Sequence, residues 1–491
     1  MTAQRASVAK AAFGLAASLC VAALAGCMVG PKYQRPSVPP PPAAYEETPP
    51  PNPPNGSWKQ AQPGDAQDAQ LKGDWWELYG DPQLNALEAK IAVSNQTLKA
   101  TMEEYFAARE QVRAARSNYF PTLGAGLSIT RTRASQNQPN ARNNTNDQYN
   151  TFTLQGQASW EPDLWGAVRR TVEAASANAQ ASAADLANVA LSLHAELATD
   201  YFELRGLDSE KLLLDNTVKA DADYLRLTRI RLKGGVATDV DVAQAETQLE
   251  TVKAQAIDVQ VARAQYEHAI ATLTGQSAST FSLAAAPLTL KLPAIPAGVP
   301  SELLERRPDV AAAERRAEAA NAQIGIAIAA YYPNVQLGGA GGFESANPGT
   351  WIQGPSALWS LGASAMETLF DAGRRHAITA QARDLYEAQA ANYRESVLNA
   401  FQEVEDNLAA LRILNDESTT QAAAVAAARR SLAISTRRYK GGVTTYLEVL
   451  TAQTAQLVNE RAQVDVQTRQ FAASVQLVKA LGGGWNRSQL P

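Results

Sequence analysis

Two pairs of segments alternate regularly between apolar and polar residues. The positions between the apolar ones carry mostly Thr, Gly, Ser and Gln, and glycines weaken the pattern in the second pair. A period of two residues predicts β-strands that have one apolar and one polar face. The apolar positions of the first pair are Leu123, Ala125, Leu127 and Ile129, then Phe152, Leu154, Gly156, Ala158 and Trp160; those of the second are Val335, Leu337, Gly339, Gly341 and Phe343, then Trp359, Leu361, Ala363 and Ala365.

Strands of about ten residues with aromatic residues at their ends match the strands of membrane barrels. A soluble four-stranded sheet packed on helices accounts for the alternation equally well. If the strands lie in a membrane, one chain cannot close a barrel, because the smallest types have about eight strands and lipid does not tolerate open sheet edges. Copies of the chain would then share one barrel, with eight strands from two chains or twelve from three.

Four long stretches without proline, rich in Ala, Gln, Leu and Glu, predict helices over residues 167–233, 239–274, 372–440 and 446–481. Apolar residues three or four positions apart form a seam suited to coiled-coil packing. A helix of about 65 residues would span on the order of 100 Å, more than a compact domain needs. The glycines Gly206, Gly234-Gly235 and Gly441-Gly442 are predicted to interrupt these helices. The seam consists of Leu186, Val189, Leu193, Leu197, Tyr201 and Leu204.

Three motifs occur twice and in the same order. Residues 231–242 resemble residues 438–449, residues 119–121 resemble 331–333, and residues 164–170 resemble 369–375. Motifs repeated at a nearly constant offset indicate an internal duplication. Both halves of the chain are therefore predicted to share one architecture.

The N-terminus has the pattern of a targeting segment. Arg5 and Lys10 precede an apolar run over residues 11–25, too short to span a membrane, that ends in Leu24-Ala25-Gly26-Cys27. Small residues before a cysteine resemble the lipobox of bacterial lipoproteins, which implies cleavage before Cys27 and a covalent lipid on it. An ordinary secretory signal is the alternative. Because Met28 rather than Asp follows the cysteine, the resemblance implies sorting to the outer membrane.

Composition excludes several functional classes. The net charge of −5 and a pI of about 5.5 argue against a nucleic-acid binder that neutralises phosphates. The three histidines and two cysteines lie far apart, and no spacing typical of a metal site, a nucleophile elbow or a phosphate loop occurs. The sequence therefore predicts neither an enzyme nor a resident cofactor apart from the lipid on Cys27.

Several motifs together resemble the outer-membrane factors of the TolC and NodT type. They are Met28-Val-Gly-Pro-Lys-Tyr33 after the lipobox, the Trp75-Trp76 segment, the stretch from Pro300 to Gly325, and both Gly-Gly-Val-x-Thr elements. The resemblance implies a mainly α fold with a β-barrel: a trimeric α/β-barrel channel with four membrane strands per chain and long periplasmic helices. It also implies the partners, which are two further copies of the chain, a periplasmic adaptor protein and an inner-membrane pump, with a proton-driven pump favoured by the lipoprotein form.

The resemblance also assigns roles to residues of the two repeated motifs. The glycine turns at the periplasmic tips would dock the adaptor, and an acid six residues beyond the second glycine of each turn would stand near the channel entrance. Thr444 occupies a position where some relatives carry an arginine of the gate. The docking residues are Gly234, Gly235, Val236, Gly441, Gly442 and Val443, and the entrance acids are Asp241 and Glu448.

The predicted organisation is a signal peptide over residues 1–26, a proline-rich lipidated tether over 27–74, repeats over 75–280 and 301–491, and a connector over 281–300. The predicted function is the outer-membrane exit duct of a tripartite efflux pump. A channel of a protein secretion system and a non-conducting periplasmic coiled-coil scaffold are the alternatives. The scaffold would leave the four strands without a role.

Overall fold

The computed structural model of this 491-residue chain describes residues 28–40, 45–47, 73–133, 135, 148–295 and 306–490. The predicted signal peptide and Cys27 lie outside the described residues, as does most of the predicted tether.

Both halves of the chain contain, in the same order, a helix of 22 residues, two strands, a helix of 67 residues and a helix of 35 residues, and the first half begins with one further helix. The four long helices begin and end within two residues of the predicted bounds. The first half contains α1 (Pro82–Ser94), α2 (Gln96–Ser117), β1 (Thr122–Arg133), β2 (Gln148–Trp160), α3 (Ala167–Lys233) and α4 (Asp239–Leu273). The second contains α5 (Pro308–Ala329), β3 (Asn334–Ser345), β4 (Ala357–Met366), α6 (Arg374–Lys440) and α7 (Tyr446–Ala480).

One helix interruption that the sequence predicts does not occur. Helix α3 continues through Gly206, so that prediction is wrong. A Cβ atom at this glycine would lie 2.2 Å from Oγ1 of Thr468 on α7. The glycine therefore lets two helices approach closely and does not end one of them.

The four strands form one antiparallel sheet in the order β1-β2-β3-β4. The register brings the predicted apolar positions into common rows, for example Leu127 beside Leu154 and Leu154 beside Phe343. Another row runs through Leu123, Ala158, Gly339 and Leu361. The alternation predicted from the sequence therefore yields one apolar face, which is exposed in the single chain, with Leu127 65% and Leu361 80% exposed.

The chain divides into two compact units. One consists of the described residues up to Pro36 and those within Phe106–Ala181 and Ala313–Tyr393, and it contains the sheet. The other consists of Ser37–Tyr105, Ser182–Ala312 and Arg394–Pro491, and it contains the largest apolar core. In that core the ring centroids of Tyr79 and Phe202 are 4.8 Å apart, as are those of Phe202 and Phe471. Leu193, Leu197, Tyr201 and Leu204 of the predicted seam are buried there.

Candidate functional site

The two repeated glycine turns join the long helices and have the same backbone geometry. In the first, the Gly235 N–H donates to the Leu232 carbonyl at 2.9 Å and the Val236 N–H donates to the Arg231 carbonyl at 2.9 Å. This pair of bonds is the Schellman motif, which needs a left-handed residue that glycine supplies, and Gly235 has φ +70°. Gly442, with φ +76°, occupies the same place in the second turn.

Both turns present an apolar side chain at their ends. Val236 is 65% exposed and Val443 is 70% exposed. Gly234 and Gly441 lie directly before the left-handed glycines and bond to the carbonyls of Ile230 and Arg437, each at 3.0 Å. The six predicted docking residues therefore lie in two equivalent turns, and their docking role stays a prediction.

The two predicted entrance acids have different surroundings. Asp241 forms a capping box with Thr238: its carboxylate accepts from the Thr238 N–H at 2.8 Å, and its own N–H donates to the Thr238 hydroxyl at 3.2 Å. Glu448 is not part of a capping box, since the Thr445 side chain makes no capping hydrogen bond at the start of α7. Its nearest cation is Arg438, with Nη1 4.0 Å from Oε2.

Helices α3 and α4 form one long hairpin, and α6 and α7 form a second. Side chains near the two turns join these hairpins to each other. The Arg231 guanidinium lies 4.6 Å from the ring centroid of Tyr439 and donates to the Lys440 carbonyl at 3.4 Å. The hydroxyls of Tyr224 and Thr436 are 2.9 Å apart. The sequence contains one indication of this contact: the second repeat has an aromatic residue, Tyr439, where the first repeat has Leu232.

Deeper between the hairpins lies a polar group of buried side chains. Gln453 donates to Asp221 at 2.8 Å, and the Tyr446 hydroxyl donates to Gln453 at 3.4 Å. Burial and the nearby Asp221 raise the pKa of Tyr446 above its usual range, so this hydroxyl stays protonated. Thr444, which the sequence comparison predicts to stand where some relatives carry a gate arginine, has a buried hydroxyl without a hydrogen-bond partner.

The segment after Cys27 is fastened to the unit that contains the sheet. Buried Arg170 donates to the carbonyls of Val29 and Gly30 at 3.3 Å and of Pro31 at 2.8 Å. A Cβ atom on Gly30 would lie 2.6 Å from Cα of Gly325. Val29, Gly30 and Pro31 therefore lie in a close-fitting groove that starts two residues after the predicted lipidation site.

The described residues contain neither a candidate metal site nor a helix that could cross a membrane. No group of three or more His, Cys, Asp or Glu side chains in these ranges is placed to hold a metal ion. Among the described helices, none combines the length and the apolar character that crossing a membrane requires.

Comparison with known proteins places these features in one class, the outer-membrane channels. OprJ, an outer membrane protein of Pseudomonas aeruginosa, is 31% identical over 492 residues, which cover 98% of this chain and 98% of that protein. The outer-membrane channel OprN matches 94% of this chain and 100% of its own, with a TM-score of 0.84 and 28% identity. The open state of the MtrE outer membrane channel of Neisseria gonorrhoeae covers 94% of this chain with a TM-score of 0.81 and 28% identity.

The family described as outer membrane efflux protein matches residues 87–276 and 299–483, and the chain belongs to it. The predicted membership among outer-membrane factors of efflux systems is confirmed, as are the mainly helical fold with its small antiparallel sheet and the outer-membrane location.

Proposed function

We propose that three copies of this chain form a passive channel through the outer membrane, the exit duct of a tripartite efflux pump that exports small molecules. The observation that carries the proposal is the sheet, whose aligned apolar face is exposed in the single chain. Exposed apolar rows of this size are costly in water and favourable in lipid.

The edges of the sheet require further copies of the chain. Strands β1 and β4 each pair on one side only, so each leaves a row of backbone N–H and C=O groups without partners. In lipid each backbone N–H or C=O group without a hydrogen-bond partner costs roughly several kcal/mol. Because β1 and β4 run antiparallel to each other, β4 of one copy can pair with β1 of the next, and a ring of three copies closes with twelve strands.

The long-helix hairpins supply the periplasmic end of the duct. The exposed turns at Gly234-Gly235-Val236 and Gly441-Gly442-Val443 would dock a periplasmic adaptor protein, which connects the duct to an inner-membrane pump. Their equal geometry supports the assignment, since one adaptor surface can then bind both turns. Asp241 and Glu448, near the same turns, would line the entrance.

The membrane anchor combines the strands with a lipid on Cys27. The close fit of residues 29–31 against Arg170 supports this proposal, because it holds the chain next to Cys27 on the unit that contains the sheet. Proton-driven pumps remain the favoured partners. We propose no catalytic role and no resident cofactor.

Conductance across a planar lipid bilayer tests the channel. Purified protein should run in detergent as a species of about three chain masses and give discrete conductance steps after reconstitution. A trimer separated into monomers should give none, because the open edges prevent insertion. A conducting monomer, or a trimer that leaves the bilayer sealed, would contradict the proposal.

A further inference from the structure

One carboxylic acid is buried between the two long-helix hairpins without a cation. Asp221 lies on α3, 14 residues before Gly235, and is only 1% exposed. One carboxyl oxygen accepts from Gln453 of α7 at 2.8 Å, and the other, Oδ2, has no hydrogen-bond partner. Within the described residues no ion pair joins Asp221 to a cation. An ionised carboxylate in this place would lose its hydration with little compensation.

The groups around Asp221 do not neutralise its charge. Arg429 of α6 is paired with Glu460 of α7, with 2.6 Å between Nε and Oε1, and so is not paired with Asp221. The neighbour from α4 is Gln248, which is uncharged. The tyrosines donate to or accept from neutral neighbours. Among the described residues, the titratable or charged side chains on the cavity wall beside Asp221 are Tyr224 of α3 and Glu460 of α7, and those next to them are Arg429 and Tyr439 of α6 and Tyr446 of α7.

Burial raises the pKa of Asp221 to about 6, against an ordinary value of 3.8, and the Gln248 hydrogen bond opposes the rise. Because the folded state binds the proton more tightly than the unfolded state, the contribution to stability is present below pH 3.8 and is lost as the pH rises through about 6. With a pKa of about 6, Asp221 is ionised in about 10% of folded chains at pH 5 and in about 90% at pH 7.

A cavity of about 200 Å³ lies beside this carboxyl group. It is lined by Leu213, Thr217, Asp221, Tyr224, Leu432 and Gln453, among others. A space of this size with polar groups on its wall can take up water. Hydration of an ionised Asp221 therefore has a route, but it brings water between α3 and α7, next to the apolar clusters that contain Leu214 with Leu457 and Leu225 with Val449.

We propose that protonation of Asp221 controls how tightly the α3–α4 hairpin packs on the α6–α7 hairpin. The protonated form keeps α3 on α7 through Gln453 and leaves the neighbouring contact of α3 with α6, in which the Thr228 and Tyr439 hydroxyls are 3.2 Å apart, in place. The ionised form draws water into the cavity and loosens these contacts. If the proposed channel function holds, on which this consequence rests, loosening near the turns widens the entrance at neutral pH and acid narrows it.

Distances between spin labels on the two hairpins test the packing directly. Lys233→Cys and Lys440→Cys place labels at the ends of α3 and α6, close together because Arg231 donates to the Lys440 carbonyl. Full-length protein with Cys20→Ser and Cys27→Ser is diluted with unlabelled chains, so that each assembly carries at most one labelled chain and no label outside the two hairpins. Between pH 4.5 and 8.5 the distance distribution should broaden and lengthen, with a midpoint near pH 6.

Matched variants on the same helix separate Asp221 from other titrating groups. Asp221→Asn should keep the narrow distribution at every pH. Asp223→Asn, which removes an exposed acid paired with Arg226, should leave the midpoint unchanged. A parent protein whose distances do not change with pH, or an Asp221→Asn variant that changes as the parent does, would overturn the proposal.

Gln248→Met provides a second test if Asp221→Asn fails to fold, and it leaves the Gln453 link between α3 and α7 intact. Without the Gln248 hydrogen bond, which lowers the pKa of Asp221, the midpoint should rise by about one pH unit, a tenfold change in proton affinity. An unchanged or lower midpoint would overturn the proposal. Bilayer conductance of the same samples reports separately on the channel: a pH-dependent distance without conductance would contradict the proposed function alone.

Discussion

Thr238 and Asp241 bond to each other reciprocally at the start of α4, and no equivalent pair exists at the start of α7. The Thr238 N–H donates to the Asp241 carboxylate at 2.8 Å, and the Asp241 N–H donates to the Thr238 hydroxyl at 3.2 Å. In the second hairpin Thr445 makes no capping bond, and Glu448 reaches only to within 4.0 Å of Arg438. Asp241 therefore caps its helix, whereas Glu448, at the repeated position, does not.

Asp241→Ala should weaken the first hairpin, whereas Glu448→Ala should leave the second almost unchanged. Loss of the capping box should cost about 1 kcal/mol of helix stability. Loss of an exposed acid without a close ion pair should change stability by less than about 0.5 kcal/mol. Hydrogen exchange of the first two turns of α4 and α7 measures both effects, and equal exchange in the two variants would contradict this difference.

The double variant Asp241→Ala with Glu448→Ala should lower the cation preference of the channel. Three copies would gather six carboxylates at the entrance, and rings of acids attract cations. Single-channel recordings should also show weaker block by multivalent cations, with trimer formation retained. Glu250→Ala, which removes an exposed acid further along α4, serves as the control. If selectivity and block match those of the parent channel, the two acids do not line the entrance.

Leu127→Arg and Ser128→Arg should have opposite consequences, although the two residues are neighbours in β1. Leu127 lies in the apolar row with Leu154, and Ser128 lies in the polar row with Thr153. An arginine on the lipid face costs about 2–4 kcal/mol near the middle of the membrane. Membrane-inserted protein should therefore fall for Leu127→Arg only. Equal insertion of both variants would contradict the assignment of the faces.

Gly325→Ala should release the segment that follows Cys27. The added Cβ would lie 2.7 Å from Nε and 2.8 Å from Cδ of Arg170, a side chain held by three carbonyl groups. Overpacking of this kind costs about 1–3 kcal/mol. Limited proteolysis should cut residues 28–36 faster than in the parent. Gly362→Ala, where a Cβ would meet no atom within 4 Å, should leave the rate unchanged.

Cys27→Ser, combined with an ordinary signal cleavage site, should still give membrane-inserted protein. The strands hold the protein in the lipid through their apolar face, so the acyl chains are not needed for insertion. Membrane fractionation measures the outcome. A variant that is entirely soluble in the periplasm would contradict the membrane role of the sheet.

The sequence by itself determined the elements of this protein. Period-two alternation from Leu123 to Ile129 and proline-free stretches such as residues 167–233 depend on local spacing, which fixes which side chains share a face. The repeated Gly-Gly-Val motifs predicted both turns, because glycine readily adopts the left-handed conformation that commonly ends a helix. Gly206 shows the limit of that rule, since only the nearby Thr468 explains a glycine inside α3.

Tertiary structure alone decided which residues meet. Nothing in the spacing of Asp221 and Gln453, 232 positions apart, indicates that they bond, and local sequence does not reveal the burial that raises the pKa of Asp221. The different roles of Asp241 and Glu448 likewise depend on whether a threonine hydroxyl turns toward its helix. Contacts of this kind arise from packing between distant segments, and the free energy of burying a polar group is set by the neighbours that packing supplies.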